Sequence, residues 1–355
     1  MAYRLCDRTA HRHAEGSPST GGRGLATAVL NGRAIAISGG RDNGRLQAWD
    51  LVGGHPLGPP FEKHTDPVEN VATAMLDGRI VAVTGDRSGV VRVWDPVEGR
   101  EVREPLQVAV HYRNNLVTFT LDGRPSVITD GTNAGLVLHD LDTGEPVRQL
   151  LPDSRLGLGP QAVAVAEPAG RPVVIAGGSG ACHVLDPATG DPLCDPLPVG
   201  KADPGLVTVV DAGIGPVVVA TTYAKVWAWD LAAACEGREA VGPRVLPGTL
   251  TALSVDESKG VSSIVSEHAD HERMAGHRLG TSYLCVTDLA EGTPVRPPVE
   301  LRGEGATRLD LTRIAGEAVA VVDAAKKPRL LRVSDGTPIA TAFTNAPASE
   351  GRFPR

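Results

Sequence analysis

An internal repeat of about 45 residues constrains this chain more than any other feature. Trp49-Asp50 is followed by Trp94-Asp95, His139-Asp140, Leu185-Asp186, Trp229-Asp230 and Thr287-Asp288. The aspartates fall at steps of 45, 45, 46, 44 and 58 residues, and Arg332 takes the seventh position. A glycine trails each anchor, at Gly54, Gly99, Gly144, Gly190, Gly237, Gly292 and Gly336. A further turn glycine lies upstream in each unit, at Gly32, Gly78, Gly123, Gly170, Gly215, Gly260 and Gly316, often within Asn-Gly-Arg or Asp-Gly-Arg. All three series count seven units. Self-similarity at such a period marks an architecture in which no module buries its apolar surface alone.

Each unit holds short apolar runs broken by turns. The second is clearest: VATAML at 71–76, IVAVTG at 80–85, VVRVWD at 90–95 and EVREPL at 101–106, read as strands a, b, c and d. Asp77-Gly78 and Asp122-Gly123 suit two-residue hairpin turns, which need positive φ, so consecutive strands are antiparallel neighbours. Strands a and b are apolar at nearly every position, as expected of strands covered on both faces. One such sheet would expose too much apolar surface, whereas radial stacking buries each sheet against two neighbours. The sequence therefore predicts an all-β chain folded as a seven-bladed β-propeller of four-stranded antiparallel blades over residues 21–345. Residues 1–20 read as a mobile arm, or as an added outer strand through Tyr3–Cys6, and 346–355 as a frayed tail. The last unit supplies its own strand d, TPIATAF at 337–343, so closure by an N-terminal strand is not required.

The period, the Trp-Asp dipeptides and the Asp-Gly turns resemble the WD40 family of β-propellers over residues 25–345. The resemblance implies a buried hydrogen-bonded set: a histidine between strands d and a, a Ser or Thr on strand b, the strand-c Trp and a turn Asp. His64, Thr84 and Trp94 match it in unit two, with Ser88 at the turn position, which leaves the set incomplete. His111 takes the histidine role in unit three, where His139 stands at the Trp position. In that family the b–c and d–a loops share one face, often used for partners.

Composition narrows the function. Glycine at 42 and proline at 28 fit a chain of many tight turns. Aromatic residues are only 3%, so Val, Ala, Leu and Ile must fill the core. A net charge of −7 argues against nucleic acid, whose binding depends on a basic surface, and against an anionic membrane surface. Cys6, Cys182, Cys194, Cys235 and Cys285 contain no C-x-x-C pair, so neither a disulfide framework nor a zinc ribbon is indicated, and a reducing cytoplasm is expected. Cys182, Cys194 and Cys285 lie in or near strands and read as small buried hydrophobes. The opening residues hold no apolar stretch of signal-peptide length, and no segment has the composition of a membrane-spanning helix. Arginine outnumbers lysine 29 to 6, a composition suggesting a high-GC bacterial genome.

The longest departure from the period lies between VSSIVS at 261–266 and SYLCVT at 282–287. This 267–281 insertion carries His268, Asp270, His271, Glu272 and His277, residue types that ligate metals. H-E-x-x-H would need a second histidine where Ala275 stands, so a solvated charged loop is the favoured reading and no metal or cofactor is expected. Cys6, His11 and His13 form a similarly weak set. Gly177 to Ala181 brushes against the serine-hydrolase elbow around Ser179, but a strand-to-strand turn is expected there instead of a strand entering a helix. Gly157 to Ala162 mimics a dinucleotide loop without a helix to hold phosphate. Trp227 and Trp229 read as core. The remaining candidates are rim residues, Arg41, Asp42, Asn43, Asp86, Arg87, Tyr112, Arg113, Asn114, Thr132 and Asn133, with His268, Asp270 and His271; Tyr and Arg dominate interface energy when buried centrally. The leading expectation is a noncatalytic scaffold that presents its top face to an unidentified protein partner. The alternative is an enzyme or small-ligand binder at the top of the central channel, lidded by 267–281.

Overall fold

The computed structural model describes residues 24–39, 44–108, 115–130, 135–151, 162–167, 171–201, 203–211, 216–222, 225–235, 243–245, 249–256, 263–269, 282–288, 293–301, 309–324 and 327–339. Their architecture is all-β and propeller-like, built from antiparallel sheets taken in chain order. The first sheet is β1 (Leu25–Leu30), β2 (Arg33–Gly39) and β3 (Leu46–Asp50). The second is β4 (Val68–Leu76), β5 (Arg79–Asp86) and β6 (Val90–Asp95), with β7 (Arg100–Glu101) and β8 (Leu106–Gln107) both along β6. The third is β9 (Leu116–Leu121), β10 (Arg124–Asp130), β11 (Leu136–Asp140) and β12 (Pro146–Leu151). The fourth is β13 (Ala162–Ala166), β14 (Val173–Gly178), β15 (Ala181–Leu185) and β16 (Leu197–Pro198). The fifth is β17 (Leu206–Asp211), β18 (Pro216–Thr222), β19 (Lys225–Asp230) and, after helix α1 (Leu231–Cys235), β20 (Pro243–Val245). The sixth is β21 (Thr249–Asp256), β22 (Ser263–Ala269), β23 (Ser282–Asp288) and β24 (Val299–Leu301). The last is β25 (Leu309–Ile314), β26 (Glu317–Ala324) and β27 (Lys327–Arg332). The first strand of each sheet lies beside the first strand of the next, and β25 lies beside β1.

The two glycine series define the turns. Asn31-Gly32, Asp77-Gly78 and Asp122-Gly123 all have positive φ, the two-residue hairpin that joins the first strands of a sheet. After strand c, the anchor carboxylate caps its own turn in the first four sheets: Asp95 Oδ1 accepts the Val97 and Glu98 N–H groups, and the Gly99 N–H returns to the Asp95 carbonyl at 2.8 Å. Asp50 and Asp140 do likewise. Arg332 holds the same backbone position, its carbonyl accepting the Gly336 N–H. In the fifth sheet the alanine-rich LAAAC forms α1 instead, capped by the Asp230 carboxylate on the Ala233 N–H.

Strand b carries a continuous apolar run at its centre because its two faces serve different seams. Val81 and Val83 of β5 pack toward the third sheet with Leu116 and Val127, whereas Ala82 packs toward the first with Ala48 and Phe61. In β14, Val174 and Ala176 face the third sheet, and Val173 and Ile175 face the fifth. In β26, Val319 and Val321 join Leu25 and Ala36 of the first sheet, while Ala320 and Val322 meet Leu284 and Val286 of the sixth. Each such Val or Ile contributes about 1.5–3 kcal/mol through burial.

The c–d turns also cross the seams. A Cβ on Gly99 would stand 2.7 Å from the Pro59 carbonyl oxygen in the preceding sheet, and one on Gly144 2.8 Å from Leu106. Arg148 of β12 donates to the Thr189 carbonyl in the fourth sheet, and Arg296 donates to the Val333 carbonyl beside the last.

Several expectations change. Strand a of the second sheet begins at Val68, with a register shift between Val68 and Asn70. The expected strand 101–106 is split into β7 and β8, because Pro105 has no N–H for the ladder, and Val102 bridges the gap through its bond to the Val93 carbonyl. The strand expected at 261–266 runs instead to Ala269, so Glu267 and His268 lie on β22 opposite Leu284 and Tyr283. Residues 1–20 and 346–355 lie outside the described residues, as does most of 337–343, of which Pro338 bridges Leu331.

Candidate functional site

The second sheet assembles a closed chain of polar side chains. Trp94 on β6 donates its Nε1–H to Thr84 Oγ1 on β5 at 3.3 Å. Thr84 Oγ1 lies 2.8 Å from His64 Nε2, and His64 Nδ1 lies 2.7 Å from Asp86 Oδ2. With Nδ1–H donating to Asp86, Nε2 accepts the Thr84 hydroxyl, so every group donates to the next. Asp86 Oδ1 in turn accepts the Ser88 N–H, the Ser88 hydroxyl and the Val90 N–H. The set is complete, with Asp86 in place of Ser88; Ser88 serves as a donor to that carboxylate.

A hydroxyl, an imidazole and a carboxylate in this order have the connectivity that activates a nucleophile. Here Thr84 is 0%, His64 4% and Asp86 1% exposed, and the hydroxyl is already engaged by the indole, so the chain has no access to substrate. Its work is mechanical. It ties strands b and c to the segment before β4 and stiffens the b–c turn. Burial by itself raises the Asp86 pKa, but hydrogen bonds from His64, Ser88 and Val90 outweigh it and hold the carboxyl below the ordinary value. Phe61 stacks on Trp94 with centroids 4.8 Å apart and closes the set from the first sheet.

Reduced versions flank it. Trp49 donates to Ser38 Oγ at 3.2 Å in the first sheet, and Thr129 Oγ1 lies 3.1 Å from His139 Nε2 in the third. Burial lowers the His139 pKa, which favours a neutral imidazole there. Asp130 accepts from the Asn115 N–H and side-chain amide. Between these sets, a small recess is lined by Asn70, Asp86, Val91, Asn115, Leu116 and Asp130 among others. The register that places Asn115 and Asp130 at this seam has no local sequence signal.

Of the sequence candidates, Asp86 and Arg87 are described on the rim. Asp86 turns inward and is buried by the hydrogen bonds of the polar chain, which takes it off the solvated face. Arg87 is exposed, pairs with Glu69 Oε1 at 2.9 Å, and donates its backbone N–H to the Pro67 carbonyl. The b–c turn and the segment preceding strand a therefore meet on one face. Arg41, Asp42, Asn43, Tyr112, Arg113, Asn114, Thr132, Asn133, Asp270, His271 and His277 lie outside the described residues, as do His111, Cys6, His11, His13 and residues 157–161. Ser179 and Gly180 form a positive-φ turn between β14 and β15, a hairpin and not an elbow. Trp227 and Trp229 stack 6.0 Å apart against one core cluster. Cys182 is buried, but Cys194 and Cys285 are only partly covered. Among the described residues no group of three His, Cys, Asp or Glu side chains could hold a metal, and no helix is long and apolar enough to cross a membrane.

Neither a protein-family model nor a curated protein matches the sequence. Among solved structures, the crystal structure of the computationally designed Ika8 protein is similar with a TM-score of 0.56 and 18% identity, covering 92% of this chain and 87% of that one. At that identity the likeness is one of fold alone.

Proposed function

We propose that the chain is a seven-bladed, WD40-like β-propeller acting as a noncatalytic scaffold in a reducing cytoplasm, its b–c and d–a loops presented to a protein partner. The observation that carries this reading is the sealed chain Trp94–Thr84–His64–Asp86. It devotes the one hydroxyl–imidazole–carboxylate alignment among the described residues to bracing a turn, and that turn displays the exposed Arg87 beside Glu69. A braced arginine on a structured rim loses little entropy on docking, which is the property of an interface anchor. Arg41, Asp42, Asn43, Tyr112, Arg113, Asn114, Thr132 and Asn133 are proposed to extend the same face.

The test is capture from native-host extract on immobilised full-length protein, with Arg87→Glu alongside. A partner retained by the parent and lost by the variant, at an unchanged melting midpoint, supports the reading. Equal capture by both, or no capture together with turnover of a small substrate, overturns it.

A further inference from the structure

We propose that Cys194 and Cys235 form an oxidisable thiol pair, a modification site at which a peroxide installs a disulfide across the seam between the fourth and fifth sheets.

The repeat explains why these two meet. In the second, fourth and sixth sheets the outer segment is tied to strand c by one recurring backbone bond: Val102 N–H to the Val93 carbonyl, Leu193 N–H to Val184 and Val295 N–H to Val286. The residues that follow are Arg103, Cys194 and Arg296. Arg296 uses this position to reach the next sheet, donating to the Val333 carbonyl and lying 3.0 Å from where a Gly336 Cβ would stand. Arg148 makes the matching contact from the third sheet, with Thr189 and Gly190. Cys194 thus stands where an outer segment touches the c–d turn of its neighbour. In the fifth sheet that turn is α1, and the last residue of α1 is Cys235. The two thiols hydrogen-bond each other, while Ala234 and Trp227 pack against the same cluster as Cys194.

Their environments assign the roles. Cys235 is exposed and meets oxidant first, whereas Cys194 is partly covered. The hydrogen bond to Cys235, and then burial, hold the Cys194 thiol well above the ordinary cysteine value, which disfavours its thiolate and leaves the first attack on oxidant to Cys235. Cys235 sulfur attacks the O–O bond of hydrogen peroxide, takes up one oxygen as sulfenic acid, and releases a water. Cys194 sulfur then attacks Cys235 sulfur; the S–O bond breaks, the S–S bond forms, and the Cys194 proton leaves with the hydroxyl as a second water. Two thiols lose two electrons and one peroxide becomes two waters. Cys182 stays out of this chemistry, buried with its pKa pushed up to about 12. The bond closes a loop of about 40 residues and so restrains the unfolded chain.

Full-length protein is reduced, exposed to hydrogen peroxide, digested without reductant and mapped by mass spectrometry. The expected product is a dithiothreitol-sensitive peptide pair joining Cys194 to Cys235, about 2 Da lighter than the two reduced peptides together. Cys235→Ser, a substitution at an exposed position, leaves Cys194 alkylatable by iodoacetamide after the same treatment. Cys194→Ser leaves a sulfenic acid on Cys235 that dimedone captures. Full alkylation of both cysteines in the parent after peroxide, or cross-links from either to a different cysteine, overturns the proposal.

Discussion

Thr84 holds one oxygen between the Trp94 indole and the His64 imidazole, both of which are buried. Thr84→Val preserves the side chain's shape and strands both groups, so unfolding free energy measured in urea should drop by about 2–4 kcal/mol. Asp86 adds a pH dependence of known sign. Its folded pKa lies below the ordinary 3.8, so the stability it contributes is present above that value and is lost as pH falls through the lower folded one. In acid titrations of stability, Asp86→Asn should flatten the limb below about pH 4; an unchanged limb would remove Asp86 from the account. Three members of this set, His64, Thr84 and Trp94, were legible through the resemblance to the WD40 family. The fourth was misplaced to Ser88 because strand b runs on to Asp86, and only the folded turn shows one carboxylate serving both the imidazole and the turn amides.

The turns and strands carry their own tests. Gly78 has φ +71 and open space around it, so Gly78→Ala costs only left-handed backbone strain, about 1 kcal/mol. Gly99 has φ +63 and would also drive a Cβ to 2.7 Å from the Pro59 carbonyl oxygen, so Gly99→Ala should cost at least twice as much. Equal thermal shifts for the two variants would mean that the c–d turn does not pack against the preceding sheet. Strand c of the second sheet was read to its residue, since alternation and flanking turns mark it on both sides. Its outer strand was not, because Pro105 interrupts the ladder inside an otherwise extended run. Helix α1 was missed for a local reason: LAAAC follows an aspartate that elsewhere caps a glycine turn, and the trailing Gly237 stands seven residues on instead of four. Cys194 could have been singled out by aligning the units, since it occupies a position held by arginine in units two and six.

Across the whole molecule, the first and last sheets are clasped by side chains that no repeat pattern marks. Asp310 Oδ2 on β25 accepts the Thr27 N–H at 2.9 Å and the Thr27 hydroxyl at 3.1 Å, and that hydroxyl also lies 3.1 Å from the Leu311 carbonyl. Burial outweighs these bonds and raises the Asp310 pKa to about 6. A carboxyl raised in the folded state binds protons more tightly there, so its contribution is full below about pH 4 and is lost as pH rises through about 6. Relative to wild type, Asp310→Asn should gain on the order of 2 kcal/mol between pH 4 and pH 8; a constant difference across that range would show that the carboxyl is solvated. The proposed ring of seven blades depends on this contact and on the apolar seams. A crystallographic density map of the full chain tests it most directly. The account predicts seven wedges around one axis, with Leu25–Leu30 running alongside Leu309–Ile314; six or eight wedges, or a gap between those two strands, would contradict it.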